Sequence, residues 1–150
     1  MTLRVNPIAY VRVPAEKVWD LLVEPANYAR WLDARLRSVD PPGRAQAGQR
    51  LRAQAIILGI PWELQMIVED VEEARRGLHV MTLLPMGISI FDHITCIPLD
   101  DSSCQVSLGC EFTFSPVWWG RLLERYASRQ LYQAVASALS RLKLSVEMGS

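Results

Sequence analysis

The spacing of hydrophobic residues changes twice in the first third of the chain. Residues 3–13 are rich in β-branched side chains and predict a strand that ends at Pro14. Four apolar residues then recur at helical spacing within residues 18–22. Pro25 ends this helix and starts a second short helix over residues 25–32, so the chain begins with a strand and two short helices.

Beyond residue 50 the hydrophobic period becomes two. The stretch before it, residues 38–50, is rich in proline and glycine and is predicted to be a loop. Alternating apolar and polar residues then predict antiparallel strands with one apolar face each. These strands cover residues 51–57, 62–69, 78–84, 88–97 and 105–114.

The last third of the chain has the pattern of one long helix. Ser115 and Pro116 suit a helix start, and helix-forming residues continue to about Leu144. We expect an inward stripe made of Leu123, Tyr126, Ala127, Gln130, Leu131, Ala134, Ala138 and Leu142. Because only the sheet offers an apolar surface, the helix is predicted to pack on it, which gives an α+β fold.

Composition narrows the class of protein. A chain of 150 residues, half of them hydrophobic, predicts a single domain over residues 1–150. Sixteen basic residues balance sixteen acidic ones without a basic stripe, so no nucleic-acid partner is expected. We find neither a secretory signal nor an apolar run that would span a bilayer, and therefore expect a cytoplasmic protein without an integral membrane segment. The oligomeric state stays open, a homodimer included.

Short motifs for common chemistries are missing from the sequence. Cys96, Cys104 and Cys110 have no metal-ligand spacing, and His79 and His93 form no HxH or HExxH motif. Nucleotide-binding loops and the hydrolase elbow are also missing. The sequence therefore predicts no metal site and no cofactor.

The stretch VPAEKVWDLLVEPANYARWL, residues 13–32, carries a family resemblance. Together with Gly48 and the turn PLDDSSCQV, it resembles the START-like (SRPBCC) superfamily, in particular the polyketide cyclase/dehydrase proteins. The resemblance implies a helix-grip fold: a curved antiparallel sheet of about seven strands wrapped around a long C-terminal helix, with two short helices after the first strand. It also implies a cavity for a hydrophobic ligand between sheet and helix.

Asp92 and His93 are adjacent in a predicted strand and so point to opposite faces. With the resemblance setting which face is inward, Ile90, Asp92 and Ile94 face the cavity and His93 faces outward. An inward Asp92 would be desolvated, which raises a carboxyl pKa and suits it for acid–base work or for binding a ligand hydroxyl. The alternative is a carboxylate that pairs with an arginine or a backbone donor at the cavity mouth.

Residues of the inward faces are the candidates for ligand contact. They are Trp62, Leu64, Met66, Ile90, Asp92, Phe112, Tyr126 and Gln130. Asp92 and Gln130 are the polar members expected to orient the ligand, and Asp92 is the candidate catalytic residue. A buried Gln130 would need a hydrogen-bond partner.

Three functions are compatible with this sequence. The first is a carrier or sensor that binds a small hydrophobic molecule, such as a lipid, an isoprenoid or a polyketide-like aromatic metabolite. The second is a polyketide cyclase/dehydrase-type enzyme that uses Asp92 as acid or base, and it needs a second titratable group in the cavity. The third is a protein-interaction role akin to the ribosome-associated START-like toxins, against which the balanced charge counts.

Overall fold

The computed structural model describes residues 2–57, 59–114 and 118–148, and the side chains of all of these except 57, 118–121, 123, 124, 126 and 127. Within them lie eight strands and three α-helices. The strands are β1 (Thr2–Val5), β2 (Ile8–Val11), β3 (Ala34–Asp40), β4 (Arg50–Ile57), β5 (Ile60–Glu72), β6 (Gly77–Leu84), β7 (Ile88–Asp100) and β8 (Ser103–Thr113). The helices are α1 (Ala15–Leu22), α2 (Tyr28–Trp31) and α3 (Trp118–Met148).

All eight strands belong to one antiparallel sheet with the order β1-β8-β7-β6-β5-β4-β3, and β2 also pairs with β8. Strands β3 to β8 form a meander of consecutive hairpins. The predicted single strand over residues 3–13 is wrong in one respect: it is two strands, β1 and β2, separated by Asn6 and Pro7. Pro7 has no N–H to donate, although its carbonyl accepts a hydrogen bond from the Leu108 N–H at 3.1 Å.

Strand β3 was not predicted, and its last residues lie in the stretch that was predicted to be a loop. The pairing of β3 with β4 shifts register between Leu36 and Ser38. This irregularity breaks the alternation of apolar and polar residues, so Leu36 and Val39 do not share one face with period two. The predicted loop over 38–50 is therefore wrong for Ser38 to Asp40.

The two short helices cover one end of the sheet. Helix α1 buries Val18, Trp19 and Leu22, as its helical spacing predicts. The Trp19 Nε1–H donates to Glu73 Oε2 at 2.8 Å, which ties α1 to the turn between β5 and β6. A turn of 3-10 helix, Pro25–Asn27, leads into α2.

Among its described side chains, helix α3 buries Val135, Leu139, Leu142 and Val146, and it packs against α2 and β2. The predicted inward stripe agrees with the burial of Leu142 and with Gln130, Leu131, Ala134 and Ala138, which face a cavity between helix and sheet. The side chains of Leu123, Tyr126 and Ala127 lie outside the described residues. Because the more N-terminal described turns of α3 stand away from the sheet, a gap remains between them. The predicted helix start at Ser115 and Pro116 lies outside the described residues.

This arrangement is the helix-grip fold that was predicted. A curved antiparallel sheet faces one long C-terminal helix, and the short helices follow the first strands. Among the described helices, none combines the length and the apolar character needed to cross a lipid bilayer.

Gln49 fixes the loop that joins β3 to β4. Its side chain is fully buried, with 0% of its surface exposed, and its Nε2 donates to the carbonyls of Pro41 at 2.8 Å and Gly43 at 3.1 Å. These bonds hold the loop against β5, where the Gly48 N–H donates to the Val68 carbonyl at 2.7 Å. The buried Gln49 side chain therefore stabilises its own loop by donating hydrogen bonds to the loop backbone.

We predict that Gln49→Leu destabilises the protein by about 1–3 kcal/mol, because the loop carbonyls of Pro41, Gly43 and Arg44 lose their shared donor. The free energy of unfolding from urea denaturation checks this. Gln46→Leu, at an exposed position of the same loop, is the control and should change stability little. Equal stability of the two variants would show that the Gln49 bonds contribute nothing.

Candidate functional site: a cavity between the sheet and the long helix

The gap beneath α3 is a cavity of about 310 Å³. Its walls come from α2 and the residues after it, from the inner faces of β4 to β8, and from α3 between Gln130 and Ala138. Most of these side chains are aliphatic or aromatic. The size lies at the lower end of the range usual for small-molecule sites.

The floor of the cavity is a regular patch of nine side chains from β6, β7 and β8. Strand pairing aligns them in three rows across the sheet: Thr82, Ile90 and Phe112; Val80, Asp92 and Cys110; Leu78, Ile94 and Leu108. All nine line the cavity. Asp92 occupies the centre of this patch.

Burial controls the protonation of Asp92. Its carboxyl is desolvated by the surrounding apolar side chains, and this raises its pKa from 3.8 to about 6. The Cys110 thiol opposes part of the shift, because it donates a hydrogen bond to the ionised carboxylate. No basic side chain of the described residues is among the causes of the shift. Within the described part of the chain, Asp92 is therefore a carboxyl group without a counter-charge, poised to change its protonation close to neutral pH.

The thiols near the cavity are not activated. Burial raises the pKa of Cys110, and the neighbouring Asp92 carboxylate raises it further. Burial also raises the pKa of Cys96 to about 12. Since a nucleophilic cysteine needs a lowered pKa, these residues behave as small apolar side chains and, for Cys110, as a hydrogen-bond donor.

Two aromatic residues of α2 line the cavity. Tyr28 and Trp31 are buried, and their rings meet edge to face with centroids 5.7 Å apart. Tyr28 Oη and Trp31 Nε1 have no hydrogen-bond partner among the described residues. Burial raises the pKa of the Tyr28 hydroxyl, which therefore stays protonated. Both atoms have almost no exposed surface, so the two residues contribute their rings rather than their polar atoms to the cavity wall.

The predicted contact residues divide into three groups. Those that line the cavity are Leu64, Met66, Ile90, Asp92 and Phe112, together with Gln130. Gln130 is exposed, so the hydrogen-bond partner that a buried Gln130 would need is not required here. Trp62 is half-buried and packs against the core beside the cavity rather than lining it. The side chain of Tyr126 lies outside the described residues.

Several lining residues were not predicted as ligand contacts. Tyr28 and Trp31 lie on the short helix α2, and their place opposite the sheet depends on how the chain turns after Pro25. Thr82 lies in a strand whose two faces are both largely apolar, so its direction had no signal in the alternation pattern. Only the pairing with Ile90 on β7 places it in the floor.

His93 points away from the cavity, as the alternation predicts, and does not form a dyad with Asp92. Its ring stacks on that of His79, with centroids 4.0 Å apart and planes inclined by 17°. His79 Nε2 in turn lies 2.7 Å from Glu72 Oε1. The opposite faces of the sheet thus carry separate polar groups.

The protein is thus a helix-grip domain with an apolar cavity between its sheet and its long helix. The chain belongs to the family described as polyketide cyclase / dehydrase and lipid transport, whose sequence profile matches residues 4–147. No curated protein matches the chain in sequence.

Solved structures share the fold over nearly the full length of the chain. The norcoclaurine synthase of Thalictrum flavum, in complex with dopamine and hydroxybenzaldehyde, is 19% identical, with a TM-score of 0.70 over 100% of this chain and 90% of that one. The Zhui aromatase/cyclase from a Streptomyces species is 18% identical, with a TM-score of 0.70 over 100% and 99%. A protein from Thermus thermophilus is 19% identical, with a TM-score of 0.74 over 99% of both chains. At this identity the likeness concerns the fold alone.

The raised pKa of Asp92 has a measurable effect on stability. The folded protein holds the Asp92 proton up to about pH 6, whereas the unfolded chain releases it near 3.8, so the free energy of unfolding falls as pH rises through this window. Asp92→Asn removes this loss. We predict that the stability of the variant relative to the wild type increases by up to about 3 kcal/mol between about pH 4 and about pH 7.5.

Urea denaturation of both proteins at the two pH values measures this difference, in which the contributions of all other titrating groups cancel. Asp33→Asn, which removes an exposed carboxyl at the rim of the same cavity, is the matched control. A difference that does not change with pH, or that grows equally in the control, contradicts the assignment to Asp92.

Proposed function

We propose that this protein binds a small, mostly apolar molecule in the cavity, as a carrier or sensor, and that Asp92 orients the polar group of the ligand. The observation that carries the proposal is the position of Asp92, one carboxyl at the centre of an otherwise largely apolar floor. The carboxyl of Asp92 is desolvated, and no described basic side chain supplies a counter-charge. It therefore reduces the stability of the folded protein at neutral pH, and we expect a favourable interaction that offsets this cost. A bound ligand that hydrogen-bonds to it supplies one.

The donors and acceptors of the wall limit the chemistry of the ligand. Below about pH 6 Asp92 is protonated and donates to a carbonyl or ether oxygen, whereas above that pH it accepts from a hydroxyl or an amine. In either protonation state, Asp92 favours a ligand that combines an apolar body with one polar group.

The ligand classes that meet this description are a lipid, an isoprenoid and a polyketide-like aromatic metabolite. The family description includes both cyclase/dehydrase and lipid-transport proteins. The structure of norcoclaurine synthase was determined with dopamine and hydroxybenzaldehyde, which are small aromatic molecules with polar substituents. The cavity volume of about 310 Å³ favours a compact ligand over a long acyl chain.

An enzyme of the cyclase/dehydrase type is the second candidate, and the pKa of Asp92 is the observation that favours it. A carboxyl with a pKa of about 6 is well suited to moving a proton near neutral pH. The mechanism needs a partner group that also changes protonation, yet Cys110 and Tyr28 both have raised pKa values and stay protonated. We therefore rank the carrier or sensor ahead of the enzyme. Once a ligand is identified, a variant Asp92→Asn that binds it normally but stops its conversion would reverse this order.

Filling the cavity tests the proposal without knowledge of the ligand. Ala138 lines the cavity and Ser137, its neighbour on α3, is exposed and does not line it. We predict that the protein takes up the neutral fluorescent probe N-phenylnaphthylamine with saturation at one equivalent. Ala138→Phe should weaken this uptake by at least about tenfold, equivalent to about 1.4 kcal/mol, because the added ring occupies the space of the probe.

The control variant Ser137→Phe adds the same ring to the solvent side of the helix and should bind the probe like the wild type. Fluorescence titration measures the affinity, and thermal unfolding verifies that both variants are folded. Uptake that is equally strong in Ala138→Phe and in the wild type would place the probe elsewhere and overturn the proposed binding site.

A further inference from the structure

The outer face of the sheet, opposite the cavity, carries a cluster of three potential metal ligands. His79 on β6 and His93 on β7 are directly opposed in the strand pairing. Glu72 is the last residue of β5 and pairs with Gly77 at the start of β6. Because side chains alternate along each strand, both histidines point away from the floor that contains Val80 and Asp92.

The three side chains are close enough to share one ion. One ligand atom from each of Glu72, His79 and His93 lies within 4.8 Å of the other two. The two imidazole rings are nearly parallel, at 17°, with centroids 4.0 Å apart, so both present a nitrogen to the same region. Two nitrogen ligands of a tetrahedral zinc ion lie about 3.4 Å apart, given bond lengths of about 2.0–2.1 Å. A metal ion lies in the plane of each imidazole that binds it, so the two stacked rings have to turn apart before both direct a nitrogen at one ion.

The surroundings leave the cluster open to an ion. The His79 ring lies between those of Phe91, with centroids 5.9 Å apart, and His93. Gly77 lies beneath the cluster, and a Cβ at that position would lie 3.5 Å from His93 Nε2 and 3.6 Å from Glu72 Cβ. A larger side chain there would project into the space where the three ligands meet. Glycine leaves that space free.

We propose that Glu72, His79 and His93 bind a divalent transition-metal ion of the zinc class on the outer face of the sheet. Two neutral imidazoles and one carboxylate form a ligand set that zinc uses, and the remaining coordination position faces solvent. The ion links β5, β6 and β7, two of which supply the floor of the cavity on the other side. The sequence predicted no metal site because its motifs concern ligands close together along the chain, whereas strand pairing brings these three together.

Charged residues near the cluster influence its affinity for a metal cation. Arg75 acts electrostatically on Glu72 and weakens the attraction for a cation. Arg76, the next residue, is paired with Glu16 of α1 and so has a partner away from the cluster. The three cysteines are buried and do not compete for the ion from the surface.

The test uses the tag-free, full-length chain after treatment with EDTA and buffer exchange. Isothermal titration with Zn²⁺ should show one equivalent bound, and Co²⁺ should give the visible absorption of a site with nitrogen and oxygen ligands. The chain contains only two histidines, so the imidazole NMR resonances of both should shift as one equivalent of Zn²⁺ is added. Thermal stability should rise with Zn²⁺ concentration, since the ion binds the folded state.

Variants then assign the ligands. His79→Gln and His93→Gln should each weaken Zn²⁺ binding by at least about tenfold. Glu69→Gln, at an exposed carboxyl on the same strand as Glu72, is the control and should bind like the wild type. Thermal unfolding in EDTA verifies that each variant is folded. Absence of saturable binding, or binding unchanged in both histidine variants, would overturn the proposal and leave the cluster as a hydrogen-bonded group of surface side chains.

Discussion

The antiparallel register of β6, β7 and β8 determines which chemistry each face of the sheet carries. It aligns three rows of side chains on the inner face and places Asp92 at their centre. The same register sets His79 opposite His93 on the outer face. A shift of β7 by one residue would exchange Asp92 and His93 between the two faces, so both sites depend on one pairing arrangement.

The long helix supplies the second constraint. Among its described side chains, helix α3 buries Val135, Leu139, Leu142 and Val146, while Gln130 and Ala134 face the cavity. Between this helix and the apolar floor about 310 Å³ stays open. The carboxyl group of Asp92 in this floor is desolvated, and its pKa is therefore raised. No basic side chain in the described ranges supplies a counter-charge.

Much of the fold could be predicted from local sequence patterns. The helical spacing in α1, the period-two strands and the resemblance in residues 13–32 together led to the helix-grip architecture, and strand alternation placed Asp92 and His93 on opposite faces. Strand β3 was missed because a register irregularity near Leu36 and Ser38 disrupts its alternation. Local patterns describe one strand at a time and therefore fail where a strand is irregular.

The candidate site was predicted less completely for a related reason. Leu64, Met66, Ile90 and Phe112 follow from alternation once the family resemblance sets which face is inward, and all of them line the cavity. The rows across the sheet, the contribution of Tyr28 and the cluster of Glu72 with the histidines depend on which residues of different elements meet. The position of Gln130 depends on how far the helix stands from the sheet, which a helical stripe does not encode.

The central claim is that the cavity is open and holds a specific small molecule. Native mass spectrometry of the gently purified protein, compared before and after organic extraction, tests it most directly. The account predicts an additional mass that disappears on extraction and corresponds to one compact apolar compound carrying oxygen. A protein that shows only its own mass and also takes up no neutral hydrophobic probe would contradict the account, since an open apolar cavity of this size would then have no affinity for the molecules it is shaped to bind.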